Sequence, residues 1–283
     1  MNKIPVRHIK DFFFEEGLSI RDVSALVAER DLVHELHRHD FYFVLFIKNG
    51  KGEHEIDFIK YEVGDFSVFF IRPGQVHQLR LKKGATGYML QFTPDFYTPN
   101  ATPSNLVLRK VSSKNHCRLN TERFKKIELL LQTIYQEFTQ KQDRYKEVIK
   151  ATFDILFIEL ERQSPNPNKI SNGVALYSQE RLEELQDLLE KNIITKKQVS
   201  QYADMLHLTI YQLNAITKET LGKTCSQLIN EHILLEAKRH LLATTNQVNQ
   251  IAYDLGYEDT SYFIRFFRKH TGYSPEAFRQ NFK

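Results

Sequence analysis

The sequence predicts an α+β chain: a β-barrel or double-sheet jelly roll carrying an antiparallel helix pair, followed by an all-α unit. Three observations carry this. Short β-type runs with Gly- and Pro-bearing turns fill residues 18–98, apolar residues then recur at helical spacing from 124 to 160, and two later segments match each other at a period of about fifty residues.

The β-type runs are "FYFVLFI", "GEHEIDF", "DFSVFFI", "HQLRL" and "GYMLQF", separated by "KNGKG", "RPGQ" and "KKG". Strands at such close intervals cannot accommodate long crossovers, so an antiparallel barrel or jelly roll is expected. In the second run Ile56 and Phe58 alternate with Glu55 and Asp57, which predicts one buried face and one wet face.

After "TPDFYTPNATPSN" the pattern becomes helical. Phe124, Ile127, Leu131, Ile134 and Phe138 form an apolar seam; "QKQD" makes a turn; Ile149, Phe153, Leu156 and Leu160 form a second stripe. The pair either packs on its own barrel or makes a homodimer interface through Phe124, Ile127, Leu131, Ile134 and Phe138, and two heptads are short for an independent coiled coil. The polar "RQSPNPNKISNG" reads as a linker. The expected division is 1–162 for ligand sensing and dimerisation, 163–177 as linker and 178–283 for the helical unit, with Ser178 capping its first helix.

Hydrophobic residues make up 41% of the chain, enough for two filled cores, and the formal charge of +4 neither announces nor excludes a nucleic-acid partner. Cys117 and Cys225 are too few and too far apart for a disulfide framework, and the first residues lack the apolar run of a secretory signal. A reduced, cytoplasmic setting is expected. No apolar stretch approaches the roughly 20 residues that span a bilayer, so no membrane partner is expected.

The repeat sets "QVSQYADMLHLTIYQLNAITKETLGKT" beside "QVNQIAYDLGYEDTSYFIRFFRKHTGYS" with one extra residue in the second turn. Ala203 meets Ala252, Leu206 meets Leu255, Leu213 meets Phe263, Ile216 meets Phe266, Lys218 meets Arg268 and Gly222 meets Gly272. Each copy is a short helix, a tight turn and an amphipathic helix closed by Gly, which is the grammar of a helix-turn-helix. The turn needs positive φ, supplied by Gly256 in one copy and by His207 in the other. Thr195 with Gln198, and Thr209 with Gln212, have capping-box spacing. Between the copies, "CSQLINEHILLEAKRHLLAT" predicts a helix of about 20 residues, roughly 30 Å long, close to the ~34 Å between successive major-groove faces of B-DNA.

At these residues "IAYDLGYEDTSYFIRFFRKHTGYSPEAFR" resembles the second helix-turn-helix signature of the AraC/XylS family of bacterial transcription regulators, through its LGY, SYF and G-x-SP-x-x-F-R elements. The first region, with "HRH", Gly-rich turns and "PGQVH", resembles the family's cupin-like sensor domain. The resemblance implies a one-component activator or repressor, with activator the reading adopted, that binds promoter DNA, responds to a small-molecule effector and works with RNA polymerase. It implies Thr260, Ser261 and Arg265 as base readers in the second unit, where Arg suits bidentate pairing with guanine. Ile210, Tyr211 and Asn214 take the corresponding places in the first, where Ala215 departs from the basic or polar reader of many relatives. Arg268, Lys269 and Lys218 would neutralise phosphates. The 11 Lys plus Arg against 8 Asp plus Glu in 193–283 favour specific readout over bulk electrostatic wrapping by an architectural DNA binder.

In the barrel, His37, His39 and His77 resemble three ligands of the cupin metal site, and a metal-dependent cupin enzyme is the rival reading for this half. The carboxylate that the cupin pattern places just after the second His is replaced by Phe41, Tyr42 and Phe43. The reading adopted is therefore no metal, no cofactor and no catalytic residue, with these histidines as hydrogen-bonded barrel residues or ligand contacts. Phe46, Arg72, His77 and Tyr88 are the candidate effector-lining residues.

Overall fold

The computed structural model describes residues 6–7, 17–97, 107–108, 110–162 and 173–282. The chain divides into two compact units that part at Pro165 and Asn166.

The first unit is a double-sheet jelly roll. One sheet runs β1 (Val6–Arg7), β3 (Leu32–His39), β8 (Val76–Leu81), β5 (Gly52–Ile56), β6 (Ile59–Val63); the other runs β10 (His116–Arg118), β7 (Ser67–Ile71), β4 (Tyr42–Asn49), β9 (Thr86–Phe92), β2 (Leu18–Asp22). Every pairing is antiparallel except β1 with β3. A one-turn helix α1 (Val23–Leu26) follows β2, capped by Asp22.

Strand alternation divides the apolar residues of β4 between two cores. Phe43, Leu45 and Ile47 join Ile56, Phe69, Leu79, Leu81 and Met89 between the sheets. Val44 and Phe46 point the other way, where helices α2 (Thr121–Gln140) and α3 (Tyr145–Glu161) cover the second sheet with Phe124, Ile127, Leu131, Ile134, Phe153 and Phe157.

This arrangement corrects the dimer expectation. Phe124, Ile127, Leu131 and Ile134 are buried against their own barrel and Phe138 packs beside them, because a sheet with an apolar outer face needs that cover. It is Leu129, Val148, Ile155 and Ile158 on the same two helices that stand exposed. A second correction concerns the β5–β6 hairpin: Ile56 pairs with Ile59, so Asp57 and Phe58 form its two-residue turn with φ of 47° and 69° instead of continuing the alternation. Both central residues of such a turn take positive φ.

The second unit is helical throughout: α4 (Gly173–Asn192), α5 (Val199–Met205), α6 (Ile210–Leu221), α7 (Cys225–Ala243), α8 (Val248–Asp254), α9 (Thr260–Thr271) and α10 (Pro275–Phe282). The segment expected as linker already enters α4 at Gly173, so Ser178 lies inside the helix and donates to Glu219 rather than capping; residues 163–172 lie outside the described residues. The capping box at Thr209 and Gln212 forms. At α5 the cap falls three residues later than expected: Gln198 is the N-cap, its N–H donating to Gln201, while Thr195 donates to the Asn192 carbonyl. Thr224 and Gln227 close a further box at the start of α7.

Candidate nucleic-acid interface and sensor interior

Helices α5 and α6 form one helix-turn-helix and α8 and α9 a second. In the first, the turn residue His207 sits at φ 54°; in the second, Gly256 sits at φ 71°. Both reading helices end on a left-handed glycine, Gly222 and Gly272, which lets the chain reverse without a Cβ penalty.

Burial separates the two sides of each reading helix. In α9, Phe263 and Phe267 are buried completely, contributing about 1.5–3 kcal/mol each. Ser261, Arg265, Arg268 and Lys269 are exposed and Thr260 half-exposed, so the residues expected to face DNA share an unpacked surface. Asp259 caps the helix by accepting the Ser261 N–H at 2.7 Å, and the exposed Arg265 lies 3.9 Å from the Asp259 carboxylate. In α6, Leu213 and Ile216 are buried while Ile210 and Lys218 are exposed and Tyr211 is 82% exposed.

Asn214 departs from the expected role. Its Oδ1 accepts the Cys225 N–H at 3.0 Å and its Nδ2 donates to the Ile210 carbonyl at 3.1 Å. One amide hydrogen and one lone pair are thus used within the fold, and the counterpart of Arg265 is the exposed Ala215.

The helix between the two units, α7, has 19 residues, so its axis is about 28 Å long. Arg279 secures its far end, Nε donating to the Leu241 carbonyl at 3.0 Å and Nη2 to the Asn246 carbonyl at 2.6 Å. Lys197 joins the approach to α5 with the second turn, its Nζ donating to the carbonyls of Ile194 at 2.6 Å and Gly256 at 3.1 Å.

Inside the jelly roll, His37, His39 and His77 come together, each offering a ring nitrogen within 4.8 Å of the others, and all three are buried. The i and i+2 positions on β3 put His37 and His39 on one face, and His77 on β8 is the cross-strand neighbour of His37. His37 Nδ1 lies 2.7 Å from the Glu35 carbonyl and His39 Nδ1 2.7 Å from the Phe41 carbonyl. A carbonyl only accepts, so both Nδ1 atoms carry a proton, and in a neutral ring of this tautomer Nε2 carries the lone pair. His77 Nε2 lies 3.1 Å from His39 Nε2, and His77 Nδ1 lies 2.9 Å from His54 Nε2. Burial pushes the His54 imidazolium pKa down to about 3 and holds that of His77 well below the ordinary histidine range, so both rings are neutral at pH 7.

The comparisons with known proteins meet this geometry at both ends. A model described as an AraC-like ligand-binding domain matches residues 25–143, and a helix-turn-helix domain model matches residues 202–281. Together they cover more than half of the chain. The protein belongs to the AraC family. It is a transcription regulator with a ligand-binding jelly roll and a DNA-binding helical unit. Among relatives, the HTH-type transcriptional activator RhaS of Escherichia coli O157:H7 is 24% identical over 97% of each chain. Its counterpart in Enterobacter sp. strain 638 is 24% identical over 86% of this chain and 87% of its own. The structure of ToxT from Vibrio cholerae strain SCE256, bound to an unsaturated fatty acid, covers 94% of this chain and 95% of that one at 16% identity. Its TM-score of 0.43 is too low for its ligand to speak for this regulator. Among the described residues no helix is long and apolar enough to cross a membrane.

The four residues expected to line an effector pocket are divided by strand alternation. Phe46 and Tyr88 are cross-strand partners on the helix-covered face, where Tyr88 meets Tyr135 at 5.8 Å between ring centroids. His77 faces the space between the sheets, and Arg72 lies in the turn before β8, where its N–H donates to Gln75. Two residues of the interior were missed. His54 shares a face with buried Ile56 in "GEHEI", so alternation placed it inside, yet its histidine was read only as part of a strand. Arg21 lies opposite Met89, reaching Met89 Sδ at 3.3 Å and Gln91 Oε1 at 3.4 Å. Its Nε has no hydrogen-bond partner, no carboxylate pairs with it among the described residues, and burial lowers its pKa.

Proposed function

We propose that this AraC-family regulator activates transcription at promoters bearing two short recognition blocks about one helical turn apart. The observation that carries the reading is the pair of exposed reading faces, on α6 and α9, joined by a helix of about 28 Å, against ~34 Å between successive major-groove faces. Arg265 reads a guanine, with Thr260 and Ser261 beside it; Ile210 and Tyr211 make apolar and shape contacts at the other block, assisted by Ala215. Arg268, Lys269 and Lys218 hold phosphates. The activator sense follows the relatives named as transcriptional activators; a contact with RNA polymerase, a cytoplasmic setting and the lack of catalytic activity belong to the same proposal.

The effector is a small molecule held in the jelly roll, with an anionic group against Arg21, whose Nε has no hydrogen-bond partner and whose guanidinium meets no carboxylate among the described residues. A homodimer forms through the exposed side of α2 and α3, Leu129 and Ile155 at its centre, since apolar side chains 64% and 52% exposed on adjacent helices favour burial against a second copy. Sedimentation of Leu129→Glu tests this: a shift from dimer to monomer supports it, and a dimer of unchanged affinity overturns it.

The decisive experiment is selection of genomic fragments by the purified protein, followed by binding of wild type and Arg265→Ala at two salt concentrations. Enrichment of two blocks one turn apart, with discrimination lost at one block in the variant by about 1–3 kcal/mol, is expected. Uniform binding across sequences, with and without candidate anionic metabolites, would overturn the reading.

A further inference from the structure

We propose that His37, His39 and His77 form a three-imidazole site for a divalent transition-metal ion in the interior of the sensor unit. The inference is independent of the DNA-reading assignment and reverses the sequence expectation of a metal-free barrel. The absence of a carboxylate after the second histidine argued against a metal on pattern alone, whereas the donors actually assembled are a complete set of another kind. Three imidazoles suit zinc, copper, iron or nickel, and His₃ is a known zinc donor set.

The geometry supports the site in three ways. First, two imidazole nitrogens, His39 Nε2 and His77 Nε2, stand 3.1 Å apart. Metal–nitrogen bonds of about 2.0–2.1 Å put neighbouring ligands roughly 2.9–3.4 Å apart for angles between a right angle and the tetrahedral value. The spacing already suits a shared ion, and one ring nitrogen from each of the three histidines lies within 4.8 Å of the others. Second, each ligand is oriented from behind. The Nδ1–H groups of His37 and His39 are fixed by the carbonyls of Glu35 and Phe41, and His77 Nδ1 is met by His54 Nε2 at 2.9 Å. Outer hydrogen bonds of this kind fix the tautomer that presents Nε2 to a metal. Third, the rings occupy a dry position between aromatic side chains: Phe41 stacks on His39 at 4.3 Å, and Phe43 lies 5.1 Å from His77. Apolar residues would fill such a core at lower cost than several imidazoles.

The proton inventory also closes. Without metal, His77 Nε2–H donates to His39 and His54 Nε2–H donates to His77. With metal, the His77 proton sits on Nδ1 and donates to His54 Nε2, while the His54 proton moves to its own Nδ1, whose buried nitrogen has no partner. Both rings remain neutral and no proton leaves the protein. His54 is thus a positioning residue, not a ligand. An ion there staples β3 to β8.

The test uses full-length, untagged protein purified without chelator. Metal content is measured by plasma mass spectrometry, and the chelator-stripped protein is titrated with Zn²⁺ and, for its visible spectrum, Co²⁺. About one equivalent per chain is expected, with ligand-field absorption of Co²⁺ bound by nitrogen and a rise in Tm with Zn²⁺. His39→Gln and His77→Asn should each weaken Zn²⁺ binding by more than about 100-fold, and His54→Gln by about 10–100-fold, the range for loss of an outer hydrogen bond. Less than a tenth of an equivalent as purified, together with no uptake of either ion by folded wild-type protein, would overturn the proposal. So would uptake unchanged in folded His39→Gln or His77→Asn. Should these variants not fold, the wild-type titration and the His54→Gln shift decide it alone.

Discussion

The Oδ1 of Asn214 accepts the Cys225 N–H at 3.0 Å, tying the middle of the first reading helix to the start of the helix that connects the two DNA-reading units. The first N–H groups of a helix have no partner inside it, and here a side chain from the preceding helix supplies one. Asn214→Ala removes that acceptor and is expected to cost the helical unit about 1–3 kcal/mol. The sequence preference of the remaining folded protein should not change. Thermal unfolding and selection of binding sites, run on the same preparation, check both halves; altered preference at undiminished stability would make Asn214 a base reader after all.

The two turns make opposite demands on substitution. A Cβ on Gly256 would lie 2.1 Å from the Ile194 carbonyl oxygen, in a residue at φ 71°. Gly256→Ala must therefore both strain the backbone and push the second unit off the loop before α5, at a cost of about 1–3 kcal/mol or more. Its Tm should fall and its DNA affinity with it. At the equivalent turn His207 already bears φ 54°, so His207→Gly is expected to be neutral or to stabilise by up to about 1 kcal/mol. Differential scanning calorimetry of the two variants distinguishes these outcomes.

The repeat was legible because both copies had to bury the same face: Leu213 and Phe263, or Leu206 and Leu255, are core in each, and the positive φ at His207 and Gly256 follows from the turn they share. The reading face was legible by subtraction, since Arg265 and Lys269 are what the core leaves outside. Asn214 was not, because its partner Cys225 belongs to the next helix and no local pattern encodes that bond. In the jelly roll the short strands were visible but the destination of each face was not. Phe46 and Leu45 are equally apolar neighbours, and only the third layer of helices makes both faces of β4 interior. The same layer turned the Phe124–Ile134 seam inward. The histidine constellation was half visible: H-x-H spacing joined two rings, while His54 required the register of β5 beside β8.

Burial pushes the thiols of both Cys117 and Cys225 up to about 11. The thiolate is the nucleophile, so a rise from about 9 to about 11 lowers its population at pH 8 on the order of 100-fold. Below pH 9 the native protein should therefore resist alkylation, with reactivity rising as the pH climbs toward 11. Mass spectrometry after iodoacetamide treatment should show both cysteines unmodified at pH 8 and both labelled once denaturant is added. Rapid labelling of Cys117 in the folded protein would show that its strand opens readily.

Arg279 gives the final "F-R" of the helix-turn-helix signature a mechanical meaning. The last carbonyls of a helix have no partner within it, and the guanidinium reaches back to Leu241, in the last turn of α7, and to Asn246 in the loop that leads into α8. Its neighbour Glu276 is too distant, at 4.0 Å, to dominate. The two bonds to carbonyls set the angle at which the second unit leaves the connecting helix. Hydrogen bonds to a charged group are worth about 1.5–3 kcal/mol, so Arg279→Leu, which keeps some packing, should lower stability by about that amount. Arg279→Lys should recover only part of it, because an ammonium cannot present two donors in a fixed fork to two carbonyls. If the angle matters for reading, both variants lose affinity for a site with two blocks more than for either block alone. Binding to paired and single half-sites measures that difference directly, and equal losses on both would confine Arg279 to holding the fold.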